Sequence, residues 1–320
     1  MITLKQLAEL SGVSVRTVGR ILQGHPYVAP DKRALVLELA RQHNYTPNTA
    51  ARNLRLQQKK FVGILFSNYT QTADVRKLNL INRQLIANGY WPLLGGVENF
   101  DQCRAMLREW SGIANYAVVL HETTPRNLEF IFEQEKLLPL EFIFADCACT
   151  GRKYSFSIDR AGSVCSMICE LEKLNFRHIV YCGTLESRLD GINLARQNTH
   201  NIKISTLEYG CDFESGFQSG SAVIASGADA VFFDSDRMAM GFYRYAAANN
   251  IHIPEDISVI GFDDEELSDR LTPALTTLAH PGREIADTVI EIVTGNRLPQ
   301  KKLLPMHFIK RRSLAAPACR

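Results

Sequence analysis

Apolar side chains near the start of the chain recur with the period of a helix. Leu4, Leu7 and Ala8 lie at positions i, i+3 and i+4, which predicts a helix with one apolar face. Gly12 supplies a sharp turn after this helix, and the helical spacing resumes over residues 15–22. Two short helices around a tight turn predict a helix-turn-helix.

The second predicted helix, residues 15–22, has distinct inner and outer faces. Ser14 is a suitable N-cap, because its side-chain oxygen can accept a hydrogen bond from the first turn. The residues expected to face inward are Val18, Ile21 and Leu22. Val15, Arg16 and Arg20 are expected on the outer face. Because the second helix of this motif lies in the DNA major groove, the pattern predicts DNA binding.

From residue 61 onward, short apolar runs alternate with amphipathic stretches. The predicted strands are 61–66, 91–95, 116–120, 140–144, 178–182, 203–208, 230–233 and 258–262. The predicted helices are 74–88, 102–111, 128–135, 161–174, 187–197, 213–226, 236–250 and 282–294. This alternation predicts parallel sheets covered on both faces. Two such runs, 61–158 and 159–280, predict two lobes with a ligand cleft at the carboxyl ends of their strands.

Charge is distributed unevenly along the chain. The formal net charge of the whole chain is +2, whereas residues 1–60 hold ten Lys and Arg against three acidic residues. The head therefore carries +7 and the remaining 260 residues carry −5. A basic head on a mildly acidic body is typical of a protein that binds nucleic acid phosphates through one domain.

Length and composition narrow the class of protein further. A chain of 320 residues favours two or three domains. No apolar run approaches the roughly 20 residues that cross a bilayer, and the first residues form no signal peptide, so we expect a cytoplasmic protein without a membrane partner. The eight cysteines include no C-x-x-C pair, so we expect reduced thiols and no metal site. The sequence lacks the common motifs for dinucleotide binding (G-x-G-x-x-G), nucleotide phosphate binding (Walker) and hydrolase nucleophiles (G-x-S-x-G). We therefore expect no cofactor and no enzyme activity.

The head and body together resemble the LacI/GalR family of bacterial transcription regulators, and the resemblance runs along nearly the whole chain. The strongest matches are residues 3–22, 45–55, 157–162, 188–191, 236–241, 253–264 and 271–277. The resemblance implies a helix-turn-helix head (1–46), a hinge helix and linker (47–60), and an effector-binding and dimerisation body (61–320). That body would resemble periplasmic sugar-binding proteins, with lobe one at about 61–158 and 282–320 and lobe two at about 159–281.

The resemblance also implies which residues contact DNA. Val15, Arg16 and Arg20 fall where the family reads base edges, and an arginine there can bind guanine with two hydrogen bonds. Gly19 stands where relatives usually have Ser. Leu54 matches the hinge leucine that wedges between base pairs in the minor groove. The complete set of expected DNA contacts is Thr3, Ser14, Val15, Arg16, Thr17, Arg20, Tyr27, Asn48, Ala51 and Leu54.

For the effector, the resemblance points to a cleft lined by charged side chains. The expected contacts are Ser67, Asp146, Arg188, Ser235 and Asp263, with Ser235 standing where relatives have Asn. Carboxylates and a guanidinium suit sugars, because each can engage two hydroxyl groups. Asp236 is expected to cap the helix that follows it, and Asp264 to cap a turn.

We therefore expect a homodimeric repressor of a carbohydrate-utilisation operon, whose affinity for operator DNA is changed by a sugar-like effector. Residues 311–320 contain no leucine heptad, so we expect no tetramer-forming tail. An alternative is a sugar-binding or sugar-processing protein with an accessory basic head, and another is an architectural DNA-binding protein. Specific, effector-dependent retention of DNA would distinguish the regulator from both. The sequence leaves the effector's identity, and whether it induces or co-represses, open.

Overall fold

The computed structural model describes residues 2–22, 27–43, 45, 60–66, 72–121, 124–147, 149, 151–295 and 302–317. The chain divides into two compact units, residues 1–59 and residues 60–320. In the part of the chain that the structure describes, no helix is long and apolar enough to cross a membrane.

The described part of the first unit contains the helices α1 (Leu4–Ser11), α2 (Val15–Leu22) and α3 (Pro30–Gln42). Their inward faces form one small core, made of Leu7, Ala8, Val18, Ile21, Val36 and Ala40. The bounds of α2 are those predicted from sequence. Leu22, which was also expected inside, is half-buried and packs against the edge of this core.

Local hydrogen bonds fix the turn between α1 and α2. Gly12 ends α1 with φ of 65°, a left-handed conformation that glycine adopts without strain. Ser14 Oγ accepts a hydrogen bond from the Thr17 backbone N–H at 3.2 Å, so the predicted N-cap is confirmed. Thr3 and Gln6 form a reciprocal capping box at the start of α1.

The second unit is an α/β body of two sheets. Its strands are β1 (Phe61–Phe66), β2 (Trp91–Gly95), β3 (Ala114–Leu120), β4 (Glu141–Ala145), β5 (Tyr154–Asp159), β6 (His178–Cys182), β7 (Lys203–Leu207), β8 (Ala230–Phe233), β9 (Ser258–Asp263), β10 (Thr276–Ala279), β11 (Lys302–Pro305) and β12 (His307–Ile309). Its helices are α4 (Thr72–Ala87), α5 (Phe100–Ile113), α6 (Pro125–Leu137), α7 (Arg160–Lys173), α8 (Glu186–Asn198), α9 (Phe213–Gln218), α10 (Gly220–Ala225), α11 (Asp236–Ala248) and α12 (Gly282–Val293).

Lobe one is built on an all-parallel sheet with the strand order β11-β5-β4-β3-β1-β2. Successive residues of β3 show why both faces must be covered. Val118 packs with Ile81 of α4 on one face, and Val119 packs with Leu107 of α5 on the other. Both β3 residues are fully buried, which accounts for the continuous apolar run in the sequence.

Lobe two repeats this design with the order β12-β10-β9-β8-β6-β7, in which only β12 is antiparallel. Helices α7 and α8 pack together beside this sheet, and α11 lies on its other face. The predicted helix 213–226 is divided into α9 and α10 at Ser219. Gly220 follows that break because a Cβ there would lie 2.1 Å from the Tyr245 ring.

Within residues 60–317, as far as the structure describes them, the chain passes between the lobes three times. The first two crossings, after β5 and after β10, are close to the predicted positions. The third lies at Met306, between β11 of sheet one and β12 of sheet two. Beyond it, Ser313 donates to the Val259 carbonyl in lobe two at 2.6 Å. The expectation that residues 282–320 all belong to lobe one is therefore wrong for the described residues from His307 to Pro317.

We predict that Leu7→Ala will unfold or severely weaken the three-helix unit. Leu7 is fully buried in a core of six residues, and truncation of such a side chain costs about 2–5 kcal/mol. Hydrogen exchange of the α1–α3 amides measures the loss. Leu10→Ala is the matched control, because Leu10 lies on the same helix with 53% of its surface exposed. Equal protection in the two variants would contradict this view of the core.

Candidate DNA-binding surface and interlobe cleft

The outer face of α2 presents the side chains expected to contact DNA. Val15, Arg16 and Arg20 are exposed, and Val15 shows 43% of its surface. Thr17 is half-buried, and its hydroxyl lies 2.9 Å from Ser14 Oγ at the start of the helix. Two arginines one turn apart on an exposed helix face can reach guanine O6 and N7 or backbone phosphates.

The other expected DNA contacts differ in what the structure says about them. Thr3 uses its hydroxyl within the capping box of α1, with Oγ1 3.0 Å from Gln6 Oε1. Tyr27 is 92% exposed. Asn48, Ala51 and Leu54, with the predicted hinge helix, lie outside the described residues. Their DNA contacts stay predictions.

In the body, polar residues stand at the carboxyl ends of three parallel strands. His121 follows β3, Asp146 follows β4 and Asp263 ends β9. All three have positive φ, of 47°, 59° and 102° respectively. This conformation is uncommon outside glycine, but Asp and His adopt it more readily than most residues. The strands therefore deliver charged side chains to the cleft edge of each lobe.

The lobe-one wall of the cleft is a buried ion cluster around Lys77. The Lys77 Nζ lies 2.6 Å from Asp74 Oδ1 and 2.6 Å from Asp146 Oδ2, and Lys77 is 1% exposed. His121 Nδ1 lies 2.8 Å from Asp74 Oδ2. Asp74, His121 and Asp146 are close enough to hold a metal ion, but the Lys77 ammonium already supplies a cation against both carboxylates.

Asp146 also forms an ion pair with the other lobe. Arg160, the first residue of α7, donates from Nη1 and Nη2 to the two carboxylate oxygens of Asp146 at 2.9 and 2.8 Å. Burial opposes ionisation of Asp146, but the charges of Lys77 and Arg160 outweigh it and hold the pKa of Asp146 well below its usual range. This carboxylate thus has three donors from the protein itself.

The lobe-two wall has a different character, because its polar groups are incompletely paired. The Arg188 guanidinium lies over the Phe262 ring at 3.7 Å, and its Nη2 is 4.0 Å from Asp263 Oδ1. Its Nη1 donates to Ser187 Oγ at 3.1 Å. His280 Nε2 is 2.9 Å from Asp263 Oδ1. Arg188 Nε and His280 Nδ1 are buried without a hydrogen-bond partner among the described residues.

Burial dominates the electrostatics of this wall. It lowers the pKa of Arg188 despite the nearby charge of Asp263, and it lowers the pKa of His280 despite their hydrogen bond. A buried donor without an acceptor costs free energy that a ligand can recover. A cavity of about 370 Å³ adjoins Lys77, Asp263 and His280, within the ~300–1,000 Å³ range of small-molecule pockets.

Four further expectations concern Ser235, Asp236, Asp264 and Ser67. Ser235, and not Asp236, caps α11: its Oγ accepts from Met238 N at 3.1 Å and donates to the Cys211 carbonyl. Asp236 is instead buried, where it accepts hydrogen bonds from Ser268, Thr277 and the Glu265 amide, and burial raises its pKa to about 7. The predicted helix cap at Asp236 is therefore wrong.

Asp264 was expected to cap a turn, but it links two arginines. Its Oδ1 accepts from Arg311 Nη2 at 2.6 Å, and its backbone carbonyl accepts from Arg76 Nη1 at 2.6 Å. Arg76 lies on α4, so this contact also joins the two lobes. Ser67, an expected effector contact, lies outside the described residues.

A three-helix head with an outward-facing arginine helix, and a two-lobed body with a polar cleft, define a DNA-binding regulator with a ligand-binding domain. Comparison with known families agrees with this class. The model for bacterial regulatory proteins of the lacI family matches residues 3–48, and that for the periplasmic binding protein-like domain matches residues 168–314. Residues 3–48 therefore match the DNA-binding part of lacI-family regulators and residues 168–314 match a periplasmic binding protein-like domain, and the chain is a DNA-binding transcriptional regulator.

Individual relatives match along almost their whole length. The chain is 29% identical to the probable HTH-type transcriptional repressor ExuR of Bacillus subtilis, over 95% of each chain. It is 26% identical to the ribose operon repressor of Escherichia coli, over 95% of this chain and 96% of the relative. The lac repressor dimer bound to operator and the anti-inducer ONPF has a TM-score of 0.79, with 22% identity and 99% of each chain covered. At this level of identity, the similarity to the lac repressor establishes the fold of the chain.

We predict that Asp146→Asn will destabilise the body at pH 7 by about 3–5 kcal/mol, because it removes the carboxylate partner of Arg160 and leaves Lys77 with Asp74 alone. The folded pKa of Asp146 lies below its unfolded value of about 3.9, so its contribution is complete above pH ~4 and is lost as pH falls. Urea unfolding at pH 7, 4 and 3 should therefore show the deficit of the variant shrinking with acidity.

Asp101→Asn is the control for this measurement. Asp101 forms an ion pair with Arg104, but its side chain is 93% exposed, so its removal should leave the free energy of unfolding nearly unchanged. A deficit for Asp146→Asn that stays constant from pH 7 to pH 3 would contradict the assignment.

Proposed function

We propose that this chain is a repressor of a carbohydrate-utilisation operon, and that a small polyhydroxylated effector bound between the lobes changes its affinity for operator DNA. Two relatives matched along their length are named as repressors, and one of them as the repressor of the ribose operon. The observation that carries the proposal is the pairing of an exposed arginine helix with an incompletely satisfied polar cleft. We propose a regulator without enzyme activity that acts in the cytoplasm.

On the DNA side, we propose that the chain binds a pseudo-palindromic operator as a homodimer. One α2 helix covers only one half-site, and two half-sites are needed for useful discrimination against a genome. The lac repressor, whose fold this chain shares, is a dimer on its operator. Arg16 and Arg20 are the side chains of α2 that we expect to read base edges.

On the effector side, the gap between Arg188 and Asp263 supports a hydroxylated ligand. The 4.0 Å between Arg188 Nη2 and Asp263 Oδ1 is too long for a hydrogen bond. A ligand hydroxyl inserted between them could accept from the guanidinium and donate to the carboxylate. Arg188 Nε and His280 Nδ1, which have no hydrogen-bond partner among the residues the structure describes, offer further partners on the same wall. A sugar or sugar derivative carries hydroxyl groups with this capacity.

Regulation would follow from the position of the cleft between the lobes. An effector shifts the equilibrium between two lobe arrangements only by its difference in affinity for them, typically about 1–3 kcal/mol of coupling. Because the cleft walls come from different lobes, a ligand that contacts both distinguishes the arrangements. Whether this strengthens or releases DNA binding depends on which arrangement binds the operator.

We predict that Arg16→Ala will lose sequence discrimination. Loss of a two-bond contact with guanine costs about 1–3 kcal/mol on specific DNA, with a smaller loss on random DNA. Gel shifts with the upstream region of its own gene and with random DNA of equal length measure both. Lys5→Ala, which removes an exposed charge from α1, is the control and should weaken both complexes alike. An equal loss on the two DNAs for Arg16→Ala would remove its base-reading role.

We predict that Asp263→Asn and Arg188→Met will each weaken effector binding at least tenfold. Each substitution leaves the other polar groups of the buried wall without a bridging partner. Thermal-shift titration of the full chain with pentoses, hexoses and their uronic acids provides the measurement. Asp269→Asn, on an exposed nearby residue, should respond like the original protein. No response to any of these sugars, or an unchanged response in Asp263→Asn, would refute the assigned pocket.

A further inference from the structure

One ion pair in the cleft joins residues that belong to different lobes. Asp146 directly follows β4 of lobe one, and Arg160 begins α7 of lobe two. Their two hydrogen bonds, of 2.9 and 2.8 Å, run between side chains that are 0% and 15% exposed. Arg160 immediately follows the first crossing between the lobes, so this pair spans the boundary between them.

Lys77 completes the arrangement from α4. Its ammonium bonds Asp146 Oδ2 and Asp74 Oδ1, so that two buried carboxylates face the buried Lys77 and the partly buried Arg160. Because both Asp146 oxygens already have donors, a ligand hydroxyl could bond this carboxylate only by displacing Lys77 or Arg160. Asp146 therefore differs from Asp263, whose nearest guanidinium lies at 4.0 Å.

A second tie between the lobes starts from the neighbouring residue of α4. Arg76 Nη1 donates to the Asp264 carbonyl at 2.6 Å and lies 3.3 Å from Asp264 Oδ2. One turn of α4 thus provides Arg76 for an exposed contact and Lys77 for a buried one. The cluster of Lys77, Asp146 and Arg160 is much less exposed to water than the Arg76 contact. Ion pairs shielded from water are the most sensitive to loss of one partner.

We propose that Lys77, Asp146 and Arg160 form an interlobe latch that holds the lobes in the arrangement observed, and that Asp146 serves this latch and does not bind the effector. The latch deepens the proposed function, on which its regulatory meaning rests. The latch sets the equilibrium between lobe arrangements in the absence of a ligand, and an effector acts by shifting that equilibrium. Ligand recognition is then concentrated on the lobe-two wall of Arg188, Asp263 and His280.

A double-mutant cycle tests whether the pair acts as one unit. The full chain is compared with Asp146→Asn, Arg160→Met and the double variant by urea unfolding, without DNA or sugar. Asp146→Asn leaves Arg160 without its carboxylate, and Arg160→Met leaves Asp146 with Lys77 as its remaining cation. We therefore expect the equilibrium constant for folding of the double variant to be at least tenfold larger than two independent effects would give. The latch is refuted if the change in the unfolding equilibrium constant of the double variant equals the product of the changes in the two single variants.

Hydrogen exchange tests whether the pair controls the lobes or only its surroundings. In Arg160→Met we expect at least fivefold faster exchange in all three crossing segments, residues 159–163, 280–282 and 305–307. The amides of His280 and Gly282 are the informative ones, because Met306 N donates to Ser163 Oγ at 2.9 Å and can respond to a local change at the start of α7. Faster exchange confined to 159–163 and 305–307 would overturn the proposal, because it would mean a local contact.

Arg152→Met is the matched control. Arg152 pairs with Glu135 at 2.6 Å, and both residues lie within lobe one, with side chains 26% and 21% exposed. The same substitution should therefore leave exchange at the three crossings unchanged, and acceleration there would count against an interlobe role specific to Arg160. Since neither measurement uses DNA or a ligand, failure of the latch leaves the sugar-response and operator tests standing, and the reverse also holds.

Discussion

Parallel strands all end at the same edge of their sheet, and the cleft of this protein depends on that constraint. Within the strands, side chains such as Val118 and Val119 are apolar because helices cover both faces. Polar groups can enter only where the strands stop, which is where His121, Asp146 and Asp263 take left-handed conformations. Charged side chains from both sheets therefore lie close together in the cleft between the lobes. How they pair with one another determines which of them are available to bind a ligand.

The two walls meet the cost of buried charge in different ways. In lobe one, Lys77 and Arg160 neutralise the carboxylates, so that wall is electrostatically complete without a ligand. In lobe two, Arg188 relies mainly on stacking over Phe262 and on a distant carboxylate. A buried group without partners is unfavourable until something binds. The first wall therefore suits a mechanical task, and the second suits recognition.

Sequence could predict the elements whose signals are local. The turn at Gly12, the cap at Ser14 and the bounds of α2 follow from neighbours in the chain, and most strands of the body follow from apolar runs. The strands β5 and β10 were missed because each includes two hydroxyl residues that interrupt the apolar pattern. The sequence placed the helix cap at Asp236 because Ser235 and Asp236 are both suitable caps. The two differ only in the folded protein, where Asp236 is buried and accepts a hydrogen bond from Thr277.

The partners within the cleft could not be found in this way, because they are distant in sequence. Lys77 lies 69 residues from Asp146, and neither residue alone distinguishes a ligand contact from an ion pair. The resemblance to a family suggested Asp146 by position, but it could not reveal that a lysine on α4 and an arginine on α7 occupy both its oxygens. The cations around a carboxylate thus decide whether its oxygens remain available to a ligand. Occupancy of each acceptor, and not its position alone, separates Asp146 from Asp263.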